Sequence, residues 1–312
     1  FLLIGAVPDR PVGVLVGAVL AGAATPPLEP CLRVLWPDIV PATRLEMAYA
    51  MDSGAQELIF VGAPLLVAGL VAVASPSAAL WVAALLGALG VLVVVTSPPS
   101  RAYRAPERSA HWLGPLRSPG LLVLFTGLIG AGLAIGTLNV LAVFYAEQHR
   151  VPGGAGALLA LNAAGALGGA IAYGAMRWRM PVQHRVVTLA TGLFAGYGLL
   201  TLLPSPPYLA VLMLVTGVFL APTLTVSFVL VGRLAPPGTT TEAFAWLVTV
   251  FTSGMAVGAA VVGAILERAD PHWAASFGGF ATAGTVLVLF LGRRALRARE
   301  AAPSEPGAPV PG

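Results

Sequence analysis

Nine runs of uncharged or nearly uncharged residues, at 12–35, 47–74, 78–97, 119–146, 153–176, 186–203, 208–232, 243–266 and 272–292, take up most of the chain. Each is close to the roughly 20 residues a helix needs to cross a bilayer. Inside hydrocarbon every backbone N–H and C=O must be paired within the protein, which leaves helices or closed barrels. Barrel strands alternate apolar and polar residues over about ten positions, whereas these runs are continuous. The expected fold class is therefore all-α, a polytopic helical membrane protein with about nine complete transmembrane helices. Composition agrees: 57% of residues are hydrophobic, 10% are charged and the mean hydropathy is +0.88, outside the range of water-soluble domains. A short apolar opening, FLLIGAV, reads as the stub of a further span. It has neither the basic start nor the small-residue cleavage site of a signal peptide. Because the chain opens on Phe1 and not Met, the reading expects its start to be missing.

All 17 basic residues are arginines. Assigned to the loops between runs, 14 fall on one side of the membrane and 3 (Arg10, Arg150 and Arg268) on the other. By the positive-inside rule the rich side, which includes the C-terminus, is cytoplasmic. The basic pI thus reports topology and calls for no nucleic-acid partner. Trp36, Trp81, Trp178, Trp246 and Trp273 lie at or near the ends of runs, where interfacial aromatics belong. Cys31 is the only cysteine, and His111, His149, His184 and His272 are scattered through loops and span ends. Neither a metal site nor a cofactor is expected, and nothing resembles an enzyme's nucleophile-and-base pair inside the spans.

The chain also repeats itself. Shifted by 196 residues, Pro26 meets Pro222, Pro41 meets Pro237, Thr43 meets Thr239, Glu46 meets Glu242 and Gly62 meets Gly258, so that PATRLEMAYA lies over PGTTTEAFAW. Both segments begin a helix on the same predicted side, the parallel relation found between transporter halves. After the Arg- and Pro-rich stretch at 98–118 come six runs; before it come three and the stub. The reading divides the chain into an incomplete N-terminal bundle (1–97), a cytoplasmic linker (98–118), a six-helix C-terminal bundle (119–293) and a disordered cytoplasmic tail (294–312).

The long loop between halves, TPPLEPCLRVLWP closing one span, ELIFVGAPLLVAG in the next and the short basic loop GAMRWRMPVQHR together resemble the major facilitator superfamily, in particular its bacterial efflux-type members. The resemblance implies two pseudo-repeated helix bundles, with the runs corresponding to the family's fourth to twelfth helices. Two helices and most of a third would then be lacking. Gly62, Pro64 and Gly69 are loosely similar to the fifth-helix pattern of antiporters, while GVLVGAVLAGAA lacks the arginine of many proton-coupled members. The resemblance further implies a monomer in the plasma (inner) membrane that exports a small amphipathic molecule by alternating access, with protons as a second cargo and the lipid bilayer as its surroundings. A non-transporting membrane scaffold, or the remnant of a truncated gene, is the alternative.

Several polar residues stand out against this background. Thr43 and Glu46, and again Thr239 and Glu242, have the spacing of a capping box, in which two side chains satisfy amides at a helix start. Glu29 and Arg33, four apart, share a helix face, and Arg33 is a plausible counter-ion for Asp52. This set could simply lock two helices together. Asp52 and Glu57 align with Val248 and Ser253 in the repeat, so the equivalent helix does without either acid, and a carboxylate inside the membrane usually faces a cavity or a partner. Glu57 leads the candidates for proton or substrate binding, ahead of Asp52, Glu29, Arg33 and Asn139. Asn139 and Asn162 are placed to bond to each other across a helical hairpin. Thr223, Thr225 and Ser227 are expected to bond to their own helix. Glycine pairs four apart, at 132/136, 165/169, 192/196 and 254/258, mark close helix packing.

Overall fold

The computed structural model describes residues 28–103 and 114–297, together with Val16, Gly17 and Leu20. Among these residues it is wholly helical. Helix α1 spans Leu28–Ile39, and a 3-10 turn at Ala42–Arg44 leads into α2, Leu45–Val73. Then come α3 (Pro76–Thr96), the single short turn α4 (Pro98–Ala102), α5 (Pro119–Gln148) and α6 (Gly154–Ala175). The series closes with α7 (Val182–Leu200), α8 (Pro206–Leu234), α9 (Thr240–Leu266) and α10 (Pro271–Leu291). Eight of the expected spans coincide with long helices, α2, α3 and α5 to α10. Seven of these are long and apolar enough to cross a membrane. The eighth, α7, carries Gln183, His184 and Arg185 in its first turn. The first expected span, 12–35, lies largely outside the described residues, as do the opening stub, the middle of the linker and most of the tail. Of that span the structure describes Val16, Gly17 and Leu20 and the end that falls in α1.

Helix starts follow from local chemistry. Proline opens α3, α5, α8 and α10, where its missing N–H is not needed. Ser75 accepts from the Ala78 amide at 3.1 Å, and Ser118 from the Leu121 amide at 3.4 Å. Asp270 accepts from the His272 amide at 2.8 Å, a bond that, helped by the imidazole, holds its carboxyl below the usual range. The two capping boxes do not form. The backbone around Thr43 is already helical within the 3-10 turn, and neither helix start has a side-chain cap. Thr239 lacks the extended conformation of a cap and turns its hydroxyl back onto the Pro236 carbonyl at 2.9 Å. Glu46 is drawn elsewhere, to Arg185.

Helices α5 to α10 pack on one another around a core that includes Leu121, Leu124, Leu193, Met213, Phe228 and Phe244. The closest approaches are made through glycine. In the α5–α9 contact a Cβ on Gly136 would strike the Met255 carbonyl, and one on Gly258 the Leu133 carbonyl. In the α6–α8 contact, Gly165 lies against the Leu214 carbonyl and Gly217 against that of Asn162. Gly169 fits against the Val218 carbonyl, whose usual helical donor four residues on is replaced by Pro222, buried inside α8. Helix α2 lies across α6 and α8, and α3 packs chiefly on α2. Both present nearly all of their apolar length outward. The helix starts follow the repeat to within one residue, since α2 begins at Leu45 and α9 at Thr240, 195 residues apart against the shift of 196. It does not extend to packing: Gly258 is enclosed, while Gly62 has nothing within 4 Å among the described residues.

These contacts predict a contrast within α6. Gly165→Ala should lower stability by about 1–3 kcal/mol through overpacking, read as a fall in Tm in detergent. Gly168→Ala, with open space at its Cβ, should leave Tm unchanged or slightly raised.

Candidate functional site

Three polar links and one aromatic cluster hold α2 in place. At its first turn the Glu46 carboxylate accepts two hydrogen bonds from Arg185 of α7, at 2.6 and 2.8 Å, the bidentate geometry in which arginine binds carboxylate most strongly. Arg185 also donates to the Tyr173 hydroxyl at 2.6 Å, and its guanidinium lies 5.6 Å from the Trp178 ring centre. Arg233 at the end of α8 adds a second, looser cation 4.0 Å from Glu46. One turn further along α2, Tyr49 packs among Phe228 of α8 and Phe244 of α9, with ring centres 6.0 to 6.3 Å apart. Next, Thr225 of α8 donates to the Ser53 hydroxyl at 3.1 Å, while Ser53 donates to the carbonyl of Tyr49.

The third link is built on Arg33 of α1. Its Nε donates to Asp52 at 2.8 Å and its Nη2 to Glu29 at 3.3 Å. The flat of the guanidinium lies 4.0 Å from the centre of the Phe228 ring, a cation–π contact from α1 to α8. Gln56 donates to the same Glu29 carboxylate at 2.8 Å, and the Tyr49 hydroxyl donates to the Arg33 carbonyl at 3.3 Å. Only 1% of Arg33 is exposed, and its Nη1 is buried without a partner among the described residues.

Beyond these links lies a cavity of about 260 Å³. Its two walls differ in kind. Glu29, Arg33, Gln56 and Glu57 come from α1 and α2, whereas α5, α6, α8 and α9 supply Ile135, Leu159, Leu220, Phe251 and Met255 with a few polar groups, Asn139, Asn162 and Thr252. Glu29, Arg33, Glu57 and Asn139 thus meet at one cavity, and Asp52 stands behind Arg33, outside the lining. Glu57 is 6% exposed, and no hydrogen bond or ion pair reaches it from the described residues. Asn162 does not bond to Asn139; its amide donates instead to the Met213 carbonyl at 2.9 Å and the Thr216 hydroxyl at 3.0 Å. The buried side of α6 faces α8, so those acceptors are nearer. Thr223 and Ser227 bond back to their own helix, and Thr225 does so while also reaching Ser53. Among the described residues no three of His, Cys, Asp and Glu come together as a metal site would require.

The long apolar helices and the cavity that α1 and α2 share with α5, α6, α8 and α9 suit a transporter fold, and the comparison with known families decides the matter. The family model of the Major Facilitator Superfamily matches residues 1–195, more than half of the chain. The chain belongs to the Major Facilitator Superfamily. Its fold is similar to that in the crystal structure of a bacterial homologue of the iron transporter ferroportin in an outward-facing state. The identity is 17%, the TM-score 0.60, and the match covers 83% of this chain and 65% of that one. No curated protein matches. As a superfamily member the chain is a multi-pass membrane protein.

The Arg185–Glu46 link joins residues 139 apart, and nothing in the local sequence of either announces it. Arg185 carries weight in the sequence as one more loop charge, and Tyr173 and Trp178 carry none. A double-mutant cycle on Glu46→Ala and Arg185→Ala, followed by denaturant unfolding in micelles, should return a coupling of about 2 kcal/mol, typical of charge-assisted hydrogen bonds. Strictly additive losses would mean that the two side chains act independently.

Proposed function

We propose that the protein is a secondary transporter that exports a small amphipathic molecule by alternating access, in exchange for protons, and that Glu57 is the proton-carrying group. The observation that carries this reading is a buried carboxylate on α2 that lines the cavity and has no hydrogen-bond or ion-pair partner among the described residues. An isolated buried carboxylate is costly, so a fold keeps one only for a reason. The repeat supplies the control: the same position in α9 is Ser253, and that helix packs well without an acid.

The surroundings of Glu57 support the role. The fixed charges near it, Glu29, Arg33 and Asp52, are paired with one another, which leaves Glu57 free to exchange a proton. Asn162 and Thr252 add polar but uncharged groups to the cavity wall. Alternating access is supported by the layers at the Arg-rich end of α2. The Glu46–Arg185 pair and the Tyr49, Phe228 and Phe244 rings lie between the cavity and the side that the arginine distribution makes cytoplasmic. The bundles assigned to residues up to 97 and to 119–293 would rock about the cavity, opening these layers in the other state.

The test is transport by the full-length protein in proteoliposomes, with a panel of amphipathic dyes and amines and an imposed pH gradient. Export should be driven by an acidic exterior, because protons then enter as substrate leaves, and should stop when the gradient is collapsed. Glu57→Gln, nearly the same shape without the titrating group, should lower gradient-driven export about tenfold or more, the scale on which a positioned proton-transfer group acts. Unchanged pH-dependent transport in the variant would remove Glu57 from the mechanism.

A further inference from the structure

We infer that the cavity takes an amphipathic organic monocation, its charge set against the Glu57 carboxylate and its apolar body against the rings of Phe60 and Phe251. This rests on the reading of the cavity as the site of the transported molecule, and it narrows the class of that molecule.

The charge balance among the described residues argues against an anion. Among them Arg33 is the one cation in the lining, and two carboxylates already hold it, Asp52 at 2.8 Å and Glu29 at 3.3 Å. The third nitrogen of that guanidinium is sealed from the cavity space. Glu57 is therefore surplus negative charge, more than nine-tenths buried and facing the cavity. Among the described residues an anionic ligand would meet two carboxylates, Glu57 and Glu29, and no free cation.

Coordination chemistry argues against an inorganic cation. Calcium needs six to eight oxygen ligands and magnesium a near-ideal octahedron, while transition metals select imidazole, thiolate or grouped carboxylates. Among the described residues no three of His, Cys, Asp and Glu come together at Glu57, and the other lining acid, Glu29, is already engaged by Arg33 and Gln56. An organic ammonium asks for less: one counter-charge, and walls that replace water around its carbon groups. The cavity offers both, and aromatic faces attract such cations further. The Phe228 face is already occupied by Arg33, which leaves Phe60 and Phe251 as the rings open to a ligand.

The test uses the full chain in lipid nanodiscs, titrated by calorimetry without any gradient. The probes are benzyltrimethylammonium, a fixed cation with one apolar ring; benzylsulfonate, its counterpart of opposite charge; and manganese(II) alone. Benzyltrimethylammonium should bind saturably, and about tenfold or more weakly to Glu57→Gln, with Glu57→Asp restoring most of the affinity. Benzylsulfonate and manganese should show no saturable binding. The Tm of Glu57→Gln should match the parent, which separates lost binding from lost folding. The inference is overturned if the organic cation does not bind, if Glu57→Gln binds it unchanged, or if the sulfonate or the metal binds through Glu57 instead. Because no gradient is applied, failure of proton-driven export would leave this result standing. Conversely, Glu57-dependent export of uncharged molecules with no cation binding would reject the cation alone.

Discussion

A guanidinium cannot stay unpaired in apolar surroundings, and two of them decide how this molecule is put together. Arg185 is held between the Glu46 carboxylate and the Tyr173 hydroxyl, so the start of α2 is tied to the start of α7. Arg33 is held between Asp52 and Glu29 and rests on Phe228, so α1 is tied to α2 and to α8. The cavity is what remains between helices fixed in this way. One wall carries Arg33 with its carboxylates beside Phe60 and Val61; the other, mainly apolar, comes from α5, α6, α8 and α9. Glu57 lies where the two walls meet, the one lining carboxylate that neither arginine reaches.

The span pattern was legible in the sequence because a bilayer imposes a length on every crossing helix, and long apolar runs report it directly. Arg33 with Glu29 was legible through the four-residue period of a helix, and Asp52 as its counter-ion through their positions at facing ends of consecutive helices. Glu57 stood out only when the repeat showed Ser253 in its place. What was hidden depended on distant pairing. Glu46 has the spacing of a capping residue, and local sequence cannot show that a buried arginine on α7 outbids the backbone amides. For Asn162 the same holds: two acceptors on α8 lie closer than Asn139. Pairing across 51 to 139 residues leaves no trace in local spacing.

Repeat and asymmetry answer different questions. The shared register of α2 and α9 is what a duplicated bundle inherits, and the enclosed Gly258 against the open Gly62 shows the two copies packed differently. The same divergence turns Val248 and Ser253 into Asp52 and Glu57, so one copy carries close packing and the other carries charge.

The Glu46–Arg185 pair ties the start of α2 to the start of α7, and whether it holds them together can be read as a distance. Arg44, just before α2, and His184, in the first turn of α7, are both exposed. They can carry spin labels in a variant whose exposed Cys31 is replaced by alanine. Electron–electron double resonance should then give a short-distance population that Arg185→Ala shifts toward a longer one, as the pair releases the two helix starts. A single distance distribution, the same with and without the Arg185 side chain, would contradict a closure held by this pair.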